Sequence, residues 1–266
     1  MTIITLTTDF GAADPFVGIM KGVIAGRAPM AHVIDLTHGI PPHDVLAGAL
    51  VLRHAVPYFP HGTIHLAVVD PGVGSQRRAL CVETPGALLV GPDNGLLSLA
   101  AASGEIRRII HLTEEHFFLS PRSRTFHGRD VFAPISAALA AGTSVEKLGS
   151  EVRDMQRLDL PPVVREAHAL RGQVIYVDHF GNLVSNVSTA DLAALAVHAP
   201  SIGVGSVRLR GVAPSYAAVR RGEPVAVMNS WGLLEIAVRE GSARDQLGAG
   251  VGAAVVIEAS WRSTSA

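Results

Sequence analysis

Four glycine-containing polar clusters interrupt an otherwise apolar chain: Asp70-Pro71-Gly72-Val73-Gly74-Ser75-Gln76-Arg77, Gly91-Pro92-Asp93-Asn94-Gly95, Thr125-Phe126-His127-Gly128-Arg129-Asp130 and Asp178-His179-Phe180-Gly181-Asn182. A fifth, Asn229-Ser230-Trp231-Gly232, lies further on. Between them they carry carboxylates, a guanidinium, an imidazole and amides, groups that move protons, orient a nucleophile or grip a polar ligand. Gly-x-Gly after a strand suggests a phosphate cradle. The spacing fits neither the dinucleotide fingerprint nor the Gly-Lys-Ser/Thr ending of a P-loop, so nucleotide phosphates are not indicated. Asp9 and Asp70 each close an apolar β-branched run, at the carboxyl end of a strand where α/β sheets gather their ligands. Asp is also a common strand-end turn and cap residue, so either one alone is equally explained by the fold.

The elements that must position these groups fall into two textures. Ile3 to Thr8 and Ile64 to Val69 read as strands, whereas Val17 to Ala28 and Asp44 to Val56 carry apolar residues at helical spacing. That alternation predicts an α/β domain with a mainly parallel or mixed sheet over residues 1–164. Pro161-Pro162 then opens a stretch, Val163 to Arg171, that reads as an inter-domain connection. Beyond it, Val174 to Val177, Leu183 to Val187, Val204 to Leu209, Pro224 to Met228, Leu233 to Val238 and Ala253 to Ile257 are short runs split by turn residues. They predict a smaller antiparallel β-barrel or sandwich as the C-terminal domain, residues 165–266.

Composition narrows the function classes. The chain of 266 residues is 48% hydrophobic and 17% charged, and Gly and Pro make up about a sixth of it, well under the roughly 25–30% of low-complexity chains. Its formal charge of −1 comes with no basic tract, so nucleic acid is not an expected partner. The N-terminus lacks a positive n-region and meets Asp9 early, so it does not read as a signal peptide. No run approaches the roughly 18 apolar residues of a membrane helix, and a cytoplasmic location is expected. The lone Cys81, in an alternating apolar run, reads as a buried thiol and excludes an internal disulfide or thiolate zinc cluster.

Taken in order, the clusters resemble the family of S-adenosyl-L-methionine hydroxide adenosyltransferases, whose relatives include the fluorinases and chlorinases. The resemblance runs from Thr7-Thr8-Asp9-Phe10-Gly11 through the clusters above to Glu240-Gly241-Ser242, nearly the whole chain. It implies hydrolysis of S-adenosyl-L-methionine to adenosine and L-methionine without cofactor or metal, and a homotrimer whose sites lie between one subunit's first domain and its neighbour's second. It also implies roles. Asp70, Arg77 and His127 align with a catalytic triad around the attacking water. Asp9 falls where a carboxylate grips the ribose hydroxyls, and Phe126 joins the substrate-binding residues. Asp178 and Ser230 match positions holding the methionine ends, and Asn182 with Phe180 matches the adenine site. Trp231 and Glu240 align with residues that hold methionine and adenine through their backbone.

The chemistry explains why few groups suffice. The sulfonium leaves C5′ as a neutral thioether, which needs neither acid nor metal; only the nucleophile needs help. His127 is expected to accept the proton of water, with Arg77 stabilising developing hydroxide and Asp70 orienting either. Positioning supplies on the order of 7–11 kcal/mol against about 3–5 kcal/mol for acid–base help, so loss of His127 is expected to slow turnover without abolishing it. Gly128 stands where halogenases carry a Ser, and the run from Arg77 to Gly91 leaves no room for their extra loop, so water is the expected nucleophile. Asp178-His179-Phe180 likewise matches the hydroxide branch. His43 departs from the pattern, standing where relatives place an aromatic ring near the sulfonium; a protonated imidazole there would repel a cation.

Two rival functions belong to other classes. His38, His43 and Asp44, or His61, His65 and Asp70, have metal-ligand chemistry and suggest a metal-dependent hydrolase, although Pro41-Pro42 denies the first set a helical i, i+4 face. A non-catalytic S-adenosylmethionine or adenosine sensor would use the same carboxylates and amides. What a sensor does not require is the convergence of Asp70, Arg77 and His127. Phe117-Phe118 reads as core, and Trp261 as a packing anchor or subunit contact.

Overall fold

The computed structural model describes residues 2–197 and 199–259; Trp261 lies outside them. The chain divides into two compact units, residues 1–158 and 159–266.

In the first unit, β1 (Ile3–Thr8), β2 (His32–Thr37), β3 (Thr63–Val68), β4 (Ala79–Glu83), β5 (Ala87–Pro92), β6 (Arg108–Leu112) and β7 (Gly149–Val152) form one sheet in the order β2-β1-β3-β5-β4-β6-β7. The first four strands of that order run parallel, and β4, β6 and β7 add antiparallel, giving a mixed sheet. Helices α1 (Phe16–Arg27), α2 (Val45–Ala55), α3 (Ser98–Ala101) and α4 (Ala133–Ala140) complete it.

Strand alternation sorts the two faces of this sheet. Ile4, Leu6, Ile64, Leu66 and Val68 bury against Met20 and Ile24 of α1 and Ile135 and Leu139 of α4. The opposite face holds Thr5, Thr7 and His65, all fully buried. There α2 packs so closely that a Cβ on Gly48 would stand 2.8 Å from Leu96 and 3.1 Å from Val69. Asp44 starts that helix by accepting the Ala47 amide at 2.9 Å.

His65 bonds through Nδ1 to Thr5 Oγ1 at 2.8 Å, packs edge-on against Phe59, and has no partner at Nε2. Burial pushes its pKa down to about 4. Unfolded chains, with an imidazole near 6.5, therefore take up a proton that the fold refuses. The stability from this group is complete above pH 6.5 and is lost as pH falls toward 4, about 3 kcal/mol in all. Denaturant melts at pH 7 and pH 4.5 are expected to show a smaller acid loss for His65→Gln than for the parent chain.

The second unit contains β8 (Val164–Arg165), β9 (Ala169–Val177), β10 (Leu183–Ser188), α5 (Thr189–Leu195), β11 (Ser201–Val204), β12 (Val207–Arg210), β13 (Pro224–Met228), β14 (Leu233–Val238), α6 (Ala243–Leu247) and β15 (Ala254–Glu258). Every pairing is antiparallel, in the order β12-β11-β15-β9-β10-β14-β13, a nearly closed barrel-like sheet around Leu170, Val174, Leu183, Leu234, Ile236 and Ile257. The long β9 makes this possible: its first half pairs with β15 and its second with β10.

Two sequence expectations are corrected here. Val163 to Arg171 is not a plain connection, because Val164 and Arg165 pair with Arg171 and Leu170 as a hairpin. The run Val204 to Leu209 is not one strand either. Gly205, at φ +54, turns the chain between β11 and β12. No helix among the described residues is long and apolar enough to cross a membrane.

Candidate active site

In the first unit the site begins at the carboxyl ends of two neighbouring parallel strands. Thr8 of β1 stands in register with Val68 of β3, so Asp9 and Asp70 emerge at the same sheet edge. Strand order reverses at this place, β2 lying on one side of β1 and β3 on the other, which opens a crevice. After Asp70 the chain turns back through Val73 N–H to Asp70 O at 3.1 Å and Ser75 N–H to Gly72 O at 3.1 Å. Gly74, at φ +77, is required there, since a Cβ would collide with the Arg124 carbonyl. This turn returns Arg77 to Asp70.

The guanidinium is held on several sides. Nε of Arg77 donates to Asp70 Oδ1 at 3.0 Å and Oδ2 at 3.1 Å, Nη2 donates to Asp70 Oδ2, and Nη1 donates to the Arg78 carbonyl at 3.3 Å. Its Cζ lies over the Phe132 ring, 5.3 Å from the ring centre. The Arg77 and Asp70 side chains are only 9% and 5% exposed, so this is a desolvated pair whose geometry is firmly set.

Nη2 of Arg77 also lies 2.8 Å from Nδ1 of His127. A guanidinium carries no acceptor, so the imidazole must accept through Nδ1. In the neutral ring the proton therefore sits on Nε2. Burial, reinforced by the Arg77 charge, lowers the His127 pKa and favours that neutral form. His127 immediately precedes a π-helical turn, Gly128–Phe132, that leads into α4. Buried Asp130 anchors this turn by accepting from Arg129 Nε at 2.6 Å and the Ser123 amide at 2.7 Å.

Asp9, His43, Asp70, Phe126 and His127 face one cavity of about 290 Å³ together with Phe10 and Phe16. The three phenylalanines pack edge to face, with ring centres 5.3–6.0 Å apart. Gly128 sits behind them, where a Cβ would come within 3.1 Å of Met20 Sδ, 3.3 Å of Phe126 and 3.4 Å of Phe10. A serine here would require Met20 and the aromatic wall to give by a few tenths of an ångström. Asp9 Oδ2 accepts the His43 amide at 2.9 Å, and His43 adopts φ +67 to present it. In this way His43 meets the site through its backbone.

The second unit has its own cluster. Asp178 Oδ1 accepts the amides of Phe180 at 2.9 Å and Asn182 at 2.8 Å, and Oδ2 accepts Asn182 Nδ2 at 2.9 Å. That fixes the Asn182 amide with its oxygen left to accept. Asn229 Oδ1 takes the amides of Trp231 at 2.9 Å and Leu233 at 3.1 Å, shaping the turn that carries Ser230. Two cavities adjoin these loops. One of about 430 Å³ is lined by Asp178, Ser230 and Trp231; the other, about 630 Å³, is lined by Asp178, Phe180, Asn182 and Glu240. Tyr216 lines both.

Residues 4–149 match the SAM hydroxide adenosyltransferase N-terminal domain, and residues 172–256 match its C-terminal domain. The chain belongs to the SAM hydroxide adenosyltransferase family. It is 44% identical over 92% of its length to an (R)-S-adenosyl-L-methionine hydrolase of Salinispora tropica, covering 93% of that protein. It is 41% identical over 91% of its length to the hydrolase of the same name from Thermus thermophilus, again covering 93% of the relative. An uncharacterised conserved protein from Thermotoga maritima shares the fold with a TM-score of 0.89 and 33% identity, over 97% of this chain and 99% of that one.

In this member of the family the sequence-predicted residues Asp70, Arg77 and His127 converge, and Asp9 and Phe126 share a cavity with Asp70 and His127. Asp178, Phe180, Asn182, Ser230, Trp231 and Glu240 gather around the cavities of the second unit. The Glu240 carboxylate itself turns to Arg221 at 2.8 Å. Among the described residues no three His, Cys, Asp or Glu side chains are grouped as a metal site; His65 lies inside the core, bonded to Thr5. Sequence reasoning does not single out Tyr216, Glu235, or Phe10 and Phe16 as lining groups. Only Phe10 carries a signal, its place beside Asp9.

Proposed function

We propose that the protein hydrolyses S-adenosyl-L-methionine, in the (R)-sulfonium form named for its relatives, to adenosine and L-methionine. The observation that carries this reading is the contact chain from Asp70 through Arg77 to His127, whose two ends line a cavity that also bears Asp9. A binding module has no use for such convergence, whereas in-line attack by water needs it.

In the proposed reaction a water oxygen forms its bond to C5′ as the C5′–S bond breaks, and the bonding pair leaves with sulfur as a neutral thioether. His127 cannot take the proton while Nδ1 is engaged by Arg77. Its Nε2–H instead donates to the attacking oxygen and orients it, and the shed proton passes to the Asp70 carboxylate, which lines the same cavity. This revises the role expected for His127 from base to donor. Asp9 keeps Oδ1 for a ribose hydroxyl, while Asn182 presents its amide oxygen to the 6-amino group of adenine. Ser230 and Asp178 take the methionine ends. The residues divide between two units, and the resemblance supports completion of each site by a neighbouring subunit in a homotrimer.

Incubation with the separated sulfonium epimers in ¹⁸O-water, with chelator present, tests the reading. Label at the adenosine 5′-hydroxyl, formed faster from the (R) epimer, is the expected result. Bound but unchanged substrate would establish the sensor instead, and turnover that stops on chelation would establish the metal hydrolase.

A further inference from the structure

Glu235 is a buried carboxylate to which none of the roles above gives work. It occupies the middle of β14 at 3% exposure, between Leu234 and Ile236, which face the apolar core of the second unit. By strand alternation its side chain points the other way, to the wall of the 430 Å³ cavity. Oε1 accepts the Tyr216 hydroxyl at 2.7 Å, and Oε2 accepts Asn229 Nδ2 at 3.1 Å. The Asn229 orientation is forced, because its oxygen already accepts two backbone amides.

These two partners come from separate segments. Tyr216, 44% exposed as a residue, heads a three-residue helical turn that has no side-chain cap and forms wall for both cavities. Asn229 begins the turn that carries Ser230 and Trp231. Both donations to this buried residue are met by the two oxygens of a carboxylate, whereas an amide keeps one acceptor for Asn229 and can meet Tyr216 only if the phenol reverses its hydrogen bond and accepts. Burial and the Glu235 acceptor both push the Tyr216 phenol pKa up, so it stays a donor at every working pH.

We propose that Glu235 is a positioning residue, holding the Tyr216 ring and the Ser230 turn at a fixed separation so that one ligand engages both cavities at once. The inference deepens the hydrolase reading, from which it takes S-adenosylmethionine as that ligand.

Glu235→Gln, Tyr216→Phe and the double variant test it. In Glu235→Gln the amide oxygen stays with Asn229 and the charge-assisted bond from Tyr216 gives way to a reversed, neutral one, and KM is expected to rise about threefold or more while kcat stays within about threefold. Tyr216→Phe leaves the carboxylate one donor short and is expected to raise KM about threefold or more. In the double variant the shared Tyr216–Glu235 bond is lost only once, so its KM is expected to stay well below the product of the two single-variant increases. Calorimetric adenosine affinities are expected to follow the same pattern.

Unchanged KM in either single variant, a fall in kcat at constant KM, or single-variant increases that simply multiply in the double variant would each overturn the proposal. If the parent chain does not turn over S-adenosylmethionine, the hydrolase reading fails alone, and the pattern of adenosine affinities still decides the role of Glu235. Should Glu235→Gln not fold, Tyr216→Phe decides it.

Discussion

Asp70→Asn is expected to lower kcat about 10³-fold while leaving the adenosine affinity within about threefold. The carboxylate has two tasks that an amide cannot share. It accepts three donations from Arg77, and an asparagine would turn an N–H toward at least one of them. The guanidinium would then shift, and with it the 2.8 Å contact that fixes the His127 ring. The second task is taking the proton from water, which an amide has no basicity to do. Each loss alone corresponds to about 10²-fold, and they act on the same transition state. Adenosine binding is spared because Asp9 and Asn182, to which it is assigned, are held by hydrogen bonds of their own to the His43 amide and to Asp178. Single-turnover rates and calorimetry on the folded variant measure the two halves. Retention of more than a third of the parent kcat would remove Asp70 from the chemical step.

The Asp70 expectation also shows where sequence reasoning stops. The strand-end position of Asp70 is legible in its β-branched run followed by Pro71-Gly72, and the parallel pairing of β1 with β3 then delivers Asp9 beside it. Convergence with Arg77 and His127 is not legible from spacing, because it depends on a turn closed by Gly74 and on a π-helical turn that follows His127, 50 residues beyond Arg77. Resemblance supplies that grouping, and coordinates supply its polarity: which nitrogen of His127 faces the guanidinium. In the second unit the strands announce themselves by composition. The Gly205 hairpin does not, since Val204 and Val207 lie on either side of a two-residue turn and blur into one run. Helices α5 and α6 are likewise illegible; each is one or two turns long and starts from a serine cap that also reads as a loop. Glu235 is hidden for a different reason. A charged residue inside an apolar strand pattern reads as solvent-facing until the partners folded over it are known.

His127→Ala and His127→Gln are expected to separate, and their separation decides what the imidazole does. If Nε2–H donates to the attacking oxygen, a glutamine that places its amide N–H near that point should recover at least about tenfold of the roughly 10²-fold kcat lost in the alanine variant. If the ring were the base, an amide would serve no better than a methyl group, and the two variants would coincide. The pH profile carries the same logic. In the parent, protonation adds an Nδ1–H that confronts Nη2–H of Arg77, so activity needs the neutral ring. Because burial and the Arg77 charge depress the His127 pKa, that neutral form persists below the ordinary 6.5. Turnover should therefore be flat through neutrality and fall only on the acid side of 6.5. The glutamine variant has no imidazole to protonate, so it should lose the limb that His127 contributes while keeping its partial activity. A base would give the parent the same acid limb, since it too works only as the neutral ring, but the glutamine variant would then regain no activity over alanine.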